Sequence, residues 1–322
     1  AVVDALKWLT VVAYGRLGFA NSTFGRINSH EVVSYLSRQV VTRAKLVAEA
    51  GGFRVLHLYV DSIFVTRAGA TLQDFQALAE EIERETRLPI EMQKVYPWFA
   101  FLASRENGNV SVANRFYGLA ADGDHKIRGI ALRRSDTPRF VANVQMEILN
   151  LLARETDPEK LFGRLPEVLE MIREKLTALK EGKVPLRQLV LTQTLSRELD
   201  DYSHFSPAAI AARQLQSRGK TLKMGQRVQF IHIRAAPGVR AWDLPIPLDP
   251  REVDAAQYRK LTLRAAQEVL QPLGVTEGLL KDWLFSPASY ASPAQVRSSE
   301  ELSSASYPLF DLESLNVLTL ER

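Results

Sequence analysis

The chain has 322 residues, 46% hydrophobic and 24% charged, enough for about two domains with cores of their own. It has no cysteine, which excludes disulfides and thiolate metal sites, and no apolar run approaches the ~20 residues of a membrane span. The N-terminus lacks a signal-peptide pattern, so the chain reads as soluble and intracellular. A net charge of +4 does not point to nucleic acid by itself; the distribution of that charge says more.

Ala1–Leu17 carries an apolar helical pattern with no N-cap or turn before it, as in a chain cut from something longer. Lys7 and Tyr14 lie seven apart and so fall on one helix face. Asn28 with Glu31 reads as a capping box opening a second helix, striped by Val33, Leu36, Val40 and Val47 and ended by Gly51. His30 reads as a surface or capping residue. His57–Val65 is an apolar, β-branched run broken by Asp61 and Ser62, which predicts a hairpin with a carboxylate at its turn. Alone, Asp61 fits either a solvated turn residue or a ligand for a divalent metal. Thr71–Arg87 predicts an amphipathic helix, and Ile90–Phe101 is strand-like. Asp122-Gly123 reads as a hairpin turn, and a domain boundary is expected near Thr137-Pro138.

Beyond that boundary, Phe140, Val144, Ile148 and Leu151 form one helical stripe, and Leu165, Leu169, Ile172, Leu176 and Leu179 another. Ser206-Pro207 starts a helix that Gly219 ends, and Gly225–Val228 leads into a strand. From Lys183 to Arg240, Lys and Arg outnumber Asp and Glu by ten to three, which suits either a solvated basic face or a grip on phosphates. Asp249-Pro250-Arg251-Glu252 predicts a helix start running to about Leu270. After Leu284 the chain turns serine-rich and reads as a mostly disordered tail.

Several of these stretches resemble the B-family DNA polymerases, in the family's order. Lys7, six residues and then Tyr14-Gly15 resembles the fingers-helix motif. Tyr59-Val60-Asp61-Ser62 resembles the end of the palm motif Tyr-Gly-Asp-Thr-Asp-Ser, in the form of a divergent archaeal and bacterial branch. Ile90–Tyr96 resembles Leu-Glu-Phe-Glu-Lys-Val-Tyr. Val112–Leu119 resembles Lys-Lys-Arg-Tyr-x-Gly-Leu, and Lys126–Ile130 with Arg133-Arg134 resembles the run that ends the palm. Leu189–Arg197 and Gly225–Val228 are similar to thumb segments. The resemblance covers about residues 1–283.

It implies an α+β fold: a palm with an antiparallel sheet and packed helices, then a mostly helical thumb. The implied division is fingers end 1–27, palm 28–137, thumb 138–283 and tail 284–322. It implies template-directed DNA synthesis in which Asp61, with Glu91 as auxiliary, binds Mg²⁺. Lys7 would pair with the triphosphate of the incoming dNTP, and Tyr14 would pack under the nascent base pair. Asn114, Arg115, Arg128, Arg197, Arg213 and Arg227 would contact primer–template DNA. For Arg133 and Arg134 an ion pair with Asp136 is the equal alternative to DNA. A cytoplasmic, nucleoid-associated site and no membrane contact go with this reading. The upstream aspartate motif of the palm, Asp-x-x-Ser-Leu-Tyr-Pro-like, is not found, so an upstream segment or partner chain is expected to complete the metal site. Val11, Tyr59, Gln93, Asn114, Phe116 and Ala131 depart from the family pattern; Tyr59, Gln93, Asn114 and Ala131 keep open a non-catalytic DNA-binding or scaffold subunit. Leu309-Phe310 loosely resembles the peptide by which bacterial polymerases dock on a sliding clamp; folding back onto the protein is the alternative.

Overall fold

Pro97 has no N–H to give a sheet ladder, and it splits the strand-like stretch 90–103 in two. The strand before it, β3 (Glu91–Tyr96), and the strand after it, β4 (Trp98–Ala103), belong to different sheets and different compact units. This computed structural model describes residues 2–104, 111–203, 206–286 and 317–321. One unit comprises Ala1–Pro97 with Glu313–Arg322, the other Trp98–Leu312. Helix, small antiparallel sheets and loops alternate through both, an α+β fold. Among the described residues no helix is long and apolar enough to cross a membrane.

The N-terminal unit opens with helices α1 (Val2–Leu17) and α2 (Ile27–Ala50). The capping box expected at Asn28 does not form. The Arg26 N–H bonds back to the Leu17 carbonyl at 2.9 Å, so α2 starts at Ile27 with no side-chain cap. Then come β1 (Arg54–Tyr59), β2 (Ser62–Thr66) and α3 (Leu72–Thr86). Thr71 and Asp74 cap α3 reciprocally, satisfying two N–H groups at its start. Ala44, Ala48, Phe53, Ile63, Val65, Phe75, Leu78 and Ile82 form the core. Burying a side chain the size of Phe75 or Ile82 contributes about 1.5–3 kcal/mol. Only the C-terminal half of α2 reaches this core; Val33 and Leu36 of its predicted stripe stay exposed.

The sheet order is β1-β2-β10-β3, where β10 is Val317–Glu321. The expected disordered tail thus includes a strand. The reason is local: Val317–Leu320 is an apolar, β-branched run beyond the serines. Leu309 and Phe310 lie outside the described residues.

The C-terminal unit starts with the meander β4, β5 (Ser111–Leu119) and β6 (His125–Arg128). Helices α4 (Arg139–Leu152), α5 (Leu165–Lys180), α7 (Ala255–Leu270) and α8 (Glu277–Phe285) pack on it. A second sheet joins β7 (Leu191–Thr194), β8 (Arg227–His232) and β9 (Val239–Ala241), with α6 (Pro207–Gln216) against it. Trp98, Leu102, Tyr117 and Ile130 share one core with Phe140, Val144 and Ile148. The packing boundary therefore falls at Pro97, while the boundary expected near Thr137-Pro138 lies inside a continuous core. The capping box at Asp249 forms, but it caps only a 3₁₀ turn, Pro250–Glu252. Backbone bonds from Arg234 to Glu252 and from Asp254 to His232 hold the next residues extended. Helix α7 starts after them, with Asp254 as its N-cap.

Candidate functional site

Tyr59 pairs with Ser62, so β1 and β2 are joined by a two-residue loop, Val60-Asp61. Val60 sits at φ 54°, a left-handed conformation that β-branched residues rarely adopt. Asp61 is exposed at the tip, and no hydrogen bond or ion pair ties it to the described residues. Ser62 beside it is buried. The carboxylate is thus held out by a strained turn. Such strain costs of order 1–3 kcal/mol. Since Val60 is 74% exposed, Val60→Gly loses little packing and should raise the stability of this unit by about 1 kcal/mol. Urea unfolding read by hydrogen exchange at Ile63–Val65 checks this; unchanged or lower stability would mean the turn is unstrained.

Glu91 opens β3 and is exposed. Because β10 runs antiparallel to both β2 and β3, Asp61 and Glu91 come to the same end of the sheet. One strand lies between theirs, a backbone separation of about 10 Å, two strand spacings. Among the described residues no group of three or more His, Asp or Glu is placed to hold a metal ion. Asp61 and Glu91 are oxygen donors of the kind Mg²⁺ takes, but they are not a complete site. The loop Val60-Asp61 also borders an apolar groove of about 390 Å³, walled by Val33, Leu36 and Val40 of α2 and by Ile63 and Ile90.

Lys7 and Tyr14 lie on α1, no residue of which is buried. Lys7 is exposed, and its ammonium makes no hydrogen bond or ion pair with the described residues. The Tyr14 ring stacks on His30 at 4.3 Å, and its hydroxyl bonds Ser34 Oγ at 2.7 Å. Gly18 permits this: a Cβ there would stand 3.0 Å from the His30 ring. His30, read from the sequence as a surface or capping residue, is the platform under Tyr14. The signal was weak, because a stacking partner sixteen residues away follows no helical spacing.

The basic residues of the C-terminal unit divide into two sets. Arg115, expected at DNA, is held by an ion pair inside the unit. Its Nη2 donates to Glu268 Oε1 at 2.9 Å and its Nε to the Gly129 carbonyl at 3.3 Å, with side chains 19% and 9% exposed. Glu268 also accepts from the Ala131 N–H at 2.9 Å and from Gln145 Nε2 at 3.3 Å. The backbone pinches here: Gly129 has φ 66°, and a Cβ would sit 2.1 Å from the Asn114 carbonyl oxygen. Arg134 lies 3.5 Å from Asp136, in line with the ion-pair reading for that residue.

Asn114, Arg128, Arg197, Arg213 and Arg227 are exposed, with one Arg213 N–H donating to the Leu199 carbonyl at 3.3 Å. The sequence reading missed a cleft of about 500 Å³ lined by Arg139, Arg187, Thr137, Thr192, Gln229 and Trp242. Thr137 Oγ1 is buried there with no hydrogen-bond partner among the described residues. Two guanidinium groups, hydroxyls and an indole face suit a phosphate chain with bases beside it. Excess Arg in this stretch was visible in the sequence; which Arg share a cleft was not.

The chain belongs to DNA polymerase family B, whose model matches residues 4–259. It is 26% identical over 245 residues to a DNA polymerase of Archaeoglobus fulgidus, covering 76% of this chain and 29% of that one. It is 38% identical over 190 residues to DNA polymerase 2 of Saccharolobus solfataricus, covering 58% and 25%. The family B DNA polymerase structure from Pyrobaculum calidifontis aligns with a TM-score of 0.58 and 25% identity, over 85% of this chain and 34% of that one. The chain spans about a quarter to a third of the length of these relatives.

Proposed function

We propose that this chain is the fingers-end, palm and thumb portion of a DNA polymerase. In that role it extends a primer 3′-end with dNTPs on a DNA template once an upstream palm segment joins it. The observation that carries the reading is Asp61, exposed on a strained two-residue turn with Glu91 at the same end of the sheet, in a member of family B. Asp61 supplies one carboxylate to a Mg²⁺ site that the donors among the described residues leave incomplete, so on this reading residues 1–322 alone are inactive. Bound Mg²⁺ would supply charge stabilisation for nucleotidyl transfer. Lys7 offers a point charge to the triphosphate, and the Tyr14 ring, braced on His30, offers a flat wall to sugar and base. Arg139, Arg187, Arg197 and Arg227 hold backbone phosphates without reading sequence.

Adding the upstream palm segment should produce Mg²⁺-dependent primer extension. Extension by residues 1–322 alone in clean protein, or none after the segment joins, would sink this reading. In the reconstituted enzyme Lys7→Ala should raise the nucleotide KM about ten- to a hundredfold, because a hydrogen bond to a charged group is worth about 1.5–3 kcal/mol. Primer binding should change little. An unchanged KM would place Lys7 on a merely solvated face.

A second reading, a DNA-binding or scaffold subunit without activity, is favoured by Tyr59 standing where the family has an aspartate and by the internal pairing of Arg115. It predicts duplex binding by the reconstituted protein and no extension.

A further inference from the structure

We infer that the cleft between the start of α4 and the sheet β7-β8-β9 is a subsite for single-stranded DNA, which holds one unpaired nucleotide by its base and its flanking phosphates. The floor of the cleft follows from local sheet geometry. Thr192 on β7 stands in register with Gln229 on β8, and Gln229 Nε2 donates to Thr192 Oγ1 at 3.3 Å. The Trp242 N–H donates to the Gln229 carbonyl at 2.9 Å, which fixes the backbone of the tryptophan beside that pair. Trp242 lines the cleft and is 37% exposed.

The walls are positive. Arg139, in the first turn of α4, and Arg187, on the turn before β7, are both exposed, and neither guanidinium makes a hydrogen bond or ion pair with the described residues. The carboxylates nearby in sequence are engaged elsewhere: Asp136 lies 3.5 Å from Arg134, and Asp243 accepts from Lys220 Nζ at 2.6 Å. Helix α4 starts with no side-chain cap, so its first N–H groups add positive potential at the same wall. Thr137 Oγ1, enclosed beside them, is a further polar group with no partner among the described residues.

Together these groups select an unpaired nucleotide. Guanidinium groups without a counter-charge take phosphates. An indole takes a base of any sequence, because every base has a π-face. In a duplex both faces of each base are already stacked on neighbours, and a double helix does not enter a cleft of about 500 Å³. A free phosphate would use the arginines and leave the indole idle. That the strand is DNA rests on the family B reading; the preference for an unpaired base does not.

Fluorescence anisotropy on the full chain tests this with three labelled probes: a thymidylate tetramer, an abasic tetramer carrying the same phosphates, and a blunt-ended duplex. The thymidylate tetramer should bind at least tenfold more tightly than the abasic one. Trp242→Ala should weaken it about five- to a hundredfold, the usual contribution of a base stacked on an aromatic ring. Trp242→Phe keeps a ring and should weaken it less than about threefold. Arg139→Ala and Arg187→Ala should each flatten its salt dependence by about 0.7 in log–log slope. The duplex should lose less than about twofold with Trp242→Ala. Equal binding of the two tetramers, equal losses for Trp242→Phe and Trp242→Ala, or an equal loss for tetramer and duplex would overturn the subsite and leave the polymerase reading standing. Binding of neither tetramer nor duplex would count against both.

Discussion

Asp61→Asn should reduce primer extension by the reconstituted enzyme at least about a thousandfold, a loss of roughly 4 kcal/mol of transition-state stabilisation. The carboxamide keeps the size of the carboxylate and removes its charge, so a ligand role predicts loss of chemistry and nothing else. Asp61 is exposed and bonds to none of the described residues, so the folded state does not depend on it. Stability of the N-terminal unit should stay within about 0.5 kcal/mol of the parent. Duplex affinity should also be nearly unchanged, since the arginines proposed to hold phosphates lie in the C-terminal unit. Single-turnover extension, urea unfolding and a duplex-binding titration separate the three quantities. Extension at the parental rate would make Asp61 an ordinary turn residue.

Glu268→Ala should destabilise the C-terminal unit by about 3–5 kcal/mol, the usual cost of removing one member of a buried ion pair. The carboxylate accepts from several donors at once, among them the Arg115 guanidinium, the Ala131 N–H and Gln145 Nε2. Gln145 in turn accepts from the Leu132 N–H at 2.6 Å and donates to the Ala265 carbonyl at 2.7 Å. These bonds tie β5, the turn after β6, α4 and α7 together. Removing Glu268 leaves a mostly buried cation with no counter-charge. Urea unfolding followed by the fluorescence of the buried Trp98 and Trp283 reads the loss. Replacing both partners by apolar residues, Arg115→Met with Glu268→Leu, should recover much of it, because no charge is then stranded. A cost below about 1 kcal/mol for Glu268→Ala would show that the tie is solvated.

The family and the positions of the main secondary elements were legible in the sequence, because periodicity, caps and turns are local. Thr71 with Asp74, Ser206 and the stripes of α4 and α5 act within a few residues of themselves, and the structure keeps them. Where a local signal competed with a longer-range bond, the bond won: at Asn28 the Leu17 carbonyl moved the helix start, and at Asp249 the end of β8 held the chain extended.

Of the candidate site, Asp61 and its hairpin were readable because a polar break in an apolar, β-branched run is itself a local pattern. The partners of that site were not. Charge in a sequence does not say whom it faces: that Arg115 pairs with Glu268, 153 residues away, was not legible. Arg139, Arg187 and Trp242 share a cleft only because the start of α4, the turn before β7 and the segment after β9 fold together. The strand between β2 and β3 was the least legible element of all. Its five residues carry strand propensity but no register, and only the closed sheet, with two edges needing hydrogen bonds, decides where such a segment goes.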